Sequence, residues 1–563
     1  MKRFLPALLL VFLSAPLRIF AMHYDMILVG DPVLEDIRFL SLEAGRPLLS
    51  FTLPLSPHEV RTFLDSINES SLSAPALEAF SRIERRLSLQ PPLLNFSSDN
   101  FSVFADINAT IEARARTNLD ISWYPHYPEV PPVASLPIRF FIGNFLQLYI
   151  EPTWRMLSHH YQHVGYFGVN APLNYRQYDH LMPNRAFLAA GGRLWNFQIG
   201  RDRLSWGTGH MGNLSISDNP DFYDFMRFSF FTRFFRYTSL VVQMPLDIRH
   251  VLCDSVFNDS AEPPNHIPPG SSVPPNHLSR TMNRYFYLHR LDIMLFNSLT
   301  IGISEGLLVG DSPLELRFLN PMAVFHQMRP WVQYNRWGNR DRYNRGKDGD
   351  MLGPFFSVEA NWNIINSLSV YGQFTMTQYE TSGEVEHLYP YPSPDGMGFL
   401  FGVQYSHSFA NWASMFFFEF IHTSPFLYMH PSPFASFIHM RIALHGPTEF
   451  ASVAFPRDIM MFTLGARFFR NNILSVSGIF SLLFNGERGI RYDWQPGWPA
   501  RDERTPSGIA ERQVIGTVSA RWRALPFLTL GGSLTGIHSH NNGHDLGARE
   551  MGLQASFSAS VSF

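Results

Sequence analysis

Along residues 553–563 apolar and polar positions alternate without a miss. Leu553, Ala555, Phe557, Ala559, Val561 and Phe563 share one parity, and Gln554, Ser556, Ser558, Ser560 and Ser562 the other. Successive side chains on a strand point to opposite faces, so this stretch has one apolar and one polar face. At ~3.4 Å per residue and a tilt of ~45° it rises roughly 26 Å, the height of the ~25 Å apolar band of a membrane-spanning β-barrel.

The same period runs through the chain from residue 95 onward. In 101–116 the odd positions are Phe101, Val103, Ala105, Ile107, Ala109, Ile111, Ala113 and Ala115, and the even ones include Asp106, Asn108, Thr110, Glu112, Arg114 and Arg116. Those charges are untenable toward lipid, so they must face a wet lumen inside a wide barrel. Near the end, Val514, Gly516, Val518, Ala520 and Trp522 oppose Thr517, Ser519, Arg521 and Arg523. Ala524, Leu525 and Pro526 then make a short turn, and Leu528, Leu530, Gly532, Leu534 and Gly536 resume the apolar face. With the C-terminus on the periplasmic side, that turn is periplasmic and the 538–547 connection extracellular. Noisier period-two signals lie at 138–150, 185–203, 225–244, 285–303, 355–377, 398–420, 437–454 and 459–484. At about 25 residues per strand and connection, residues 95–563 predict an all-β transmembrane barrel of about 16–18 antiparallel strands.

Residues 31–92 read differently. Ser56, Pro57 and Glu59 supply a cap, a first-position proline and an acid three residues on, followed by Val60, Phe63, Leu64 and Ile67. That is a helix start. A second helix begins at Ser73, Ala74 and Pro75 and carries Leu77, Phe80, Ile83 and Leu87 at spacings of three and four, until Pro91 and Pro92 close the segment. Residues 22–94 therefore predict a periplasmic helical segment, a cap, plug or separate lobe, whose apolar stripes need a partner surface.

Ahead of it, Lys2 and Arg3 precede an apolar run over 4–15, with a cleavage point after Ala21, the pattern of a removable secretory signal over 1–21. Past that signal no run of about 18 apolar residues offers a transmembrane helix. Charged residues make up 16% of the chain and aromatics 15%; a soluble protein carries roughly 25% charged. The single cysteine, Cys253, excludes an internal disulfide framework. A net charge of -3 leaves no broad basic face for nucleic acid.

Several motifs bear on chemistry. Gly302, Ser304 and Gly306 spell G-x-S-x-G, but at the end of an alternating strand, whereas a nucleophile elbow needs a strand-to-helix turn. A hydrolase built on Ser304 is the weakest reading, and no enzyme activity is expected. Histidines 159, 160 and 163, and again 538, 540 and 544, lack fixed ligand spacing and read as loop residues, so no metal and no cofactor are expected. The string Gly200-Arg201-Asp202-Arg203-Leu204-Ser205-Trp206-Gly207-Thr208-Gly209 leaves the wall through a glycine-rich bend. Arg201, Arg203 and Trp206 are candidates for a basic and aromatic lumen shelf, although barrel arginines usually pair with acids such as Asp202 and Asp224. Three polar connections stand out: a Pro-rich one in which Pro-Pro-Asn-His occurs at 263–266 and again at 274–277, a second at 335–350 and a third at 380–397. In the second, Arg336, Trp337, Arg340, Arg342 and Tyr343 combine aromatic faces for sugar stacking with planar groups for hydroxyls.

The terminal Phe563 after an alternating strand resembles the signal that outer-membrane barrels present to the barrel assembly machinery. The G-R-x-x-x-x-W-G-x-G string, followed by Asn213-Leu214-Ser215-Ile216-Ser217, and the later Leu316-Arg317-Phe318-Leu319-Asn320-Pro321 resemble stretches of the Wzi-like capsule assembly family. That resemblance implies a roughly 18-stranded barrel in the bacterial outer membrane with a periplasmic helical bundle, retaining and organising surface polysaccharide. Its expected partners are the lipid bilayer, the assembly machinery and polysaccharide. The charged inward faces suit a porin or solute transporter equally well, and that alternative stays open on sequence alone.

Overall fold

Period-two segments other than 437–454 become wall strands in the computed structural model, which describes residues 24–88, 92, 94–98, 100–121, 131–157, 165–180, 183–244, 246–247, 281–310, 313–325, 352–379, 395–429, 436–440, 448–450, 457–470, 473–488 and 503–563; in 437–454, Ile438–Met440 and Thr448–Phe450 pair only with each other. Phe101–Ala105 with Asn108–Arg116, Ala134–Ser135 with Ile138–Ile142, and Leu146–Glu151 with Thr153–Trp154 each form one wall strand. Counted so, eighteen described strands succeed one another, each antiparallel to its neighbour. The last, Arg549–Ser562, pairs with the first from Gln554↔Arg116 to Ser562↔Asn108 and returns the ladder to its start. Pairing the last strand with the first leaves no exposed edge at that seam.

Alternation sorts the two faces as expected. On the first strand Ile107 and Ile111 are exposed outside, and Arg114 and Arg116 are buried inside. One expectation needs correcting. These arginines face protein rather than a wet lumen: Arg116 Nε donates to Gln554 Oε1 at 2.8 Å, and Arg114 lies 3.5 Å from Glu112. Connections at 143–145, 193–194, 232–234, 296–298, 366–367, 410–411 and 526–527 are all tight and lie at one end. Several use left-handed residues, among them Asn297, Ser367 and Ala410, as two-residue hairpins require. Phe563 is at the same end, its ring stacked on Phe527 with centroids 5.6 Å apart and its backbone N–H donating to Ile107 O at 3.0 Å.

Three helices close that end: α1 (Val33–Glu43), α2 (Pro57–Leu64) and α3 (Ala74–Leu87). The predicted capping box is present in α2, where Ser56 Oγ accepts from Glu59 N and Glu59 returns to Ser56 N. Ser73 caps α3, whose Ala76, Ala79, Phe80, Ile83 and Leu87 stripe is buried. Helix α1 is an addition to the two helices read from sequence. Pro32 at its N-cap makes no side-chain cap bond, and its apolar residues surround it instead of forming a stripe, because it is covered on several sides. Its Ile37, Phe39 and Leu40 share a core with Val60, Phe80 and Ile83 and with Ala413 and Met415 of the wall. The Glu43 carboxylate at its end accepts hydroxyls from Ser73, Ser367, Ser406 and Ser408 at 2.9–3.1 Å. That one acid ties two helices to three wall positions.

Candidate functional site

The chain before α1 enters the barrel and is gripped by wall side chains. Asp25, buried, accepts from Arg86 of α3 at 2.7 Å, from Arg139 at 3.3 Å and from Gln147 at 2.6 Å. Tyr24 Oη accepts from Asn196 at 2.8 Å, and its ring fills the space a side chain on Gly191 would need. Two further wall arginines reach the N-terminal segment: Arg236 pairs with Glu59 at 3.0 Å, and Arg227 donates to Thr52 O at 3.3 Å.

Above the helices, residues 203–222 leave the wall and fold inward. Ser205 and Trp206 pair with Thr52 and Leu53 of the N-terminal segment, and Trp206 bridges to Ile216. The inward loop between them is held by carboxylates of the wall. Glu419 accepts from the N–H groups of His210 (2.8 Å) and Met211 (2.9 Å), and Glu359 from Thr208 N (3.2 Å) and Oγ (3.0 Å). Gln373 Oε1 accepts from Leu214 N at 2.8 Å. Such bonds satisfy backbone groups that burial would otherwise leave orphaned. Toward the outer mouth Leu204, Trp206 and Ile216 join Phe286, Leu288 and Phe355 of the wall and Leu427, Tyr428 and Phe437 of an inturned outer segment in one dry cluster. Tyr428 Oη donates to Leu214 O at 2.7 Å and locks that segment onto the plug.

The sector from Leu474–Asn485 to Arg549–Ser562 differs. Its inward side chains include hydroxyls paired across strands as Ser477–Ser519 (2.7 Å) and Ser533–Ser556 (2.8 Å), half-buried, and nearer the turn end Arg521 and Arg523, which are exposed. Above them Ile121, Ile515 and Ile537 pack together, buried, and close the sector with an apolar constriction. Among the described residues the helices, the plug and these apolar contacts occupy much of the interior.

The three shelf candidates do not meet. Trp206 lies in the dry core of the plug, its side chain fully buried. Arg203 Nη2 donates to Asp218 O at 2.9 Å near the mouth. Arg201 shares the outward parity of Ile199 and pairs with Asp224 at 2.8 and 2.9 Å on the outside of the wall, with its guanidinium 4.0 Å from the Phe222 ring. The predicted pairing with Asp224 is present, on the opposite side of the sheet. Ser304 faces inward from the middle of a strand, buried, without the turn an elbow needs. Arg336, Trp337, Arg340, Arg342 and Tyr343 lie outside the described residues, as do the 1–21 signal, Cys253, histidines 159, 160 and 163, and the Pro-rich 263–277 segment.

An aromatic group at the mouth escaped the sequence reading. Tyr175 is 77% exposed, with His180 4.2 Å away and Tyr178 5.0 Å beyond that ring. The loop is anchored by Arg155, which donates to Asp179 and Asp221 at 2.8 Å each. The signal was present in Asn174-Tyr175-Arg176-Gln177-Tyr178-Asp179-His180, the same mixture of rings and planar polar groups noticed at 336–343.

His210 gives the plug a pH dependence. Its ring stacks on Phe417 at 4.0 Å, and Nε2 lies 3.2 Å from Gln404 Oε1 and 3.2 Å from Arg38 Nη1. Burial, then the Arg38 charge, hold its pKa well below the ordinary imidazole value. A depressed pKa means the docked plug binds fewer protons than the released one, so this contribution is complete above about pH 6.5 and fades as pH falls below it. Amide-exchange protection over 207–214, corrected for intrinsic rates, is expected to fall between pH 7 and pH 5 in the parent and much less in His210→Gln. Equal losses in both chains would dissociate the effect from this ring.

Residues 133–434, more than half of the chain, match the family of the capsule assembly protein Wzi. The fold is similar to that of Wzi of Escherichia coli, described as a carbohydrate-binding β-barrel of the outer membrane involved in group 1 capsule assembly. Identity is 14%, the TM-score 0.55, and the match covers 96% of this chain and 99% of that one. Lower likenesses include OccD3 of Pseudomonas aeruginosa (8% identity, TM-score 0.38, 81% and 91% covered) and OmpT of Vibrio cholerae (6%, 0.33, 84% and 100%). No curated protein sequence matches significantly. The ring of strands, the inward plug built on the G-R-x-x-x-x-W-G-x-G string and the family match converge: this chain belongs to the Wzi capsule assembly family of bacterial outer-membrane β-barrels.

Proposed function

We propose that this protein is a sealed, non-catalytic barrel that binds surface polysaccharide at its outer mouth and so helps assemble and retain it. The observation that carries this reading is the interior itself: Trp206, Leu214 and Ile216 are buried across the lumen, and Glu359 and Glu419 hold the loop between them. A transporter needs a polar path, and here Glu359 and Glu419 of the wall are engaged by the plug. What remains available is the outer surface, where Tyr175 and Tyr178 offer stacking faces, and to which we assign Arg336, Trp337, Arg340, Arg342 and Tyr343 as further contacts. Phe563, at the turn end, is assigned to recognition by the assembly machinery.

The test is retention of polysaccharide by cells producing the protein. Trp337→Ala with Tyr343→Ala is expected to lower retention about thirtyfold, since stacking of an aromatic face is worth about 1 kcal/mol beyond its buried area at each position. The same purified protein is expected to be silent in planar bilayers. Retention unchanged by the double substitution would remove those two residues from the site, and large stable conductance steps would overturn the sealed reading.

A further inference from the structure

The outer face of the wall is not uniform. On Arg284–Leu295 the outward Leu291 and Ile293 are bare, whereas Tyr287 and His289 above them are buried; on Leu299–Gly310 Ile303 is bare and Leu307 and Val309 are buried. What covers them is the segment 313–325. Phe318 lies 4.8 Å from Tyr287, Phe325 lies 4.2 Å from His289, and Glu315 N donates to Tyr287 Oη at 3.0 Å. From the turn at 296–298 to the His289↔Glu305 pair is about six residues, or roughly 15 Å of height, so the segment begins inside the ~25 Å apolar band. Its own outer side is apolar: Leu314 is 44%, Leu316 76%, Met322 85% and Val324 55% exposed. That surface continues the lipid-facing band directly upward, which explains how a histidine and a glutamate can stand on outward positions beneath it.

Beside this segment the wall is short. Arg185–Gly192, Trp195–Asp202, Tyr223–Phe231 and Phe235–Gln243 have 8, 8, 9 and 9 residues, a rise of roughly 19–22 Å that falls short of the ~25 Å band. A short hydrophobic wall draws the bilayer surface down. Here an outward groove of about 610 Å³ runs between Leu314 and these strands. Its floor is Ile199, Met226 and Val241, and one step higher Arg201, Asp224, Gln243 and Tyr285 stand in a row with Ala186 beside Arg201. The groove is thus apolar below and polar above, like a lipid in the outer leaflet.

We propose that segment 313–325 is embedded in the outer leaflet and that the groove beside it seats one zwitterionic, phosphoethanolamine-headed lipid. The acyl chain lies on Ile199, Met226, Val241 and Leu314. Arg201 faces the phosphate and Asp224 the ammonium, so the outward ion pair meets a head of complementary charges.

Native mass spectrometry of delipidated full-length protein titrated with palmitoyl-oleoyl phosphatidylethanolamine tests this. One bound lipid is expected on the parent, with occupancy at least tenfold lower on Ala186→Trp and on Ile199→Trp, and weaker binding of the phosphatidylglycerol analogue. Ile199→Trp exchanges one lipid-facing apolar side chain for another and so keeps the wall intact. A nitroxide at Leu316→Cys, in a Cys253→Ser background in bilayers, is expected to be more accessible to oxygen than to a water-soluble nickel complex. Equal occupancy in parent and filled variants, equal binding of both lipids, a water-exposed nitroxide, or a second copy of the chain occupying this face would each overturn the proposal.

Discussion

Trp206→Ala is expected to release the plug. The indole is fully buried and shares one apolar cluster with side chains of the plug, the wall and Leu427, Tyr428 and Phe437. Removing a buried aromatic costs about 3–5 kcal/mol where the site cannot collapse, and a wall held by its own ladder cannot close around the gap. The loss falls on local opening of the interior, not on the barrel, since the ladder of eighteen strands is untouched. Amide protection over 205–217 and 426–428 is therefore expected to drop by roughly two to three powers of ten, while wall amides such as those of 357–363 keep theirs. Thr52 and Leu53 should lose protection too, because their partners are Trp206 and Ser205. Trp206→Phe, which keeps most of the buried area, should show a much smaller change. Unaltered protection in the alanine variant would mean that the carboxylate contacts hold the loop without the core.

Asp25→Ala is the second large effect. This acid is buried and shared by Arg86, Arg139 and Gln147. Arg86 keeps Asp31 at 2.9 Å and Arg139 keeps Asp106, but both lose the acid that joins helix α3 to the wall. Breaking a buried pair from one side costs about 3–5 kcal/mol, and removing both partners costs less. Limited proteolysis of the folded protein is accordingly expected to clip 24–31 much faster in Asp25→Ala than in the parent, with Asp25→Ala, Arg86→Met together in between. If the double variant proves the more sensitive, packing of Tyr24 and Met26, not the ion pairs, anchors the segment.

The wall was legible because one physical rule governs it: a sheet between lipid and an interior must alternate. That rule located the last three strands and the turn at Pro526 almost to the residue, and each noisier signal from 138 to 303 proved to be a hairpin with a tight turn inside. The interior was less legible for the same reason. Leu204, Trp206, Leu214 and Ile216 are apolar at even spacing, and nothing local distinguishes a strand facing lipid from a loop facing a dry lumen. Arg201 shows the reverse: an arginine next to glycine reads as lumenal, but its strand parity sets it outside, where a short wall and Asp224 accommodate it. Helix α1 lacked a clean stripe, because Val33, Ile37, Phe39, Leu40 and Leu42 are buried on several sides, although Asp31 Oδ1 accepts from Val33 N at its start. The Leu316–Asn320 string was recognisable as a pattern, yet only contacts with Tyr287 and His289 reveal that it wraps the exterior.

The tight turns carry a further consequence. The described hairpin joints from 143–145 to 526–527 lie at the helical end, and at one of them Ser367 N donates to Leu42 O of helix α1. An added residue at 366–367 would meet helix α1. Lengthening the chain at 366–367 is therefore expected to cost more stability than lengthening it in a connection at the opposite end.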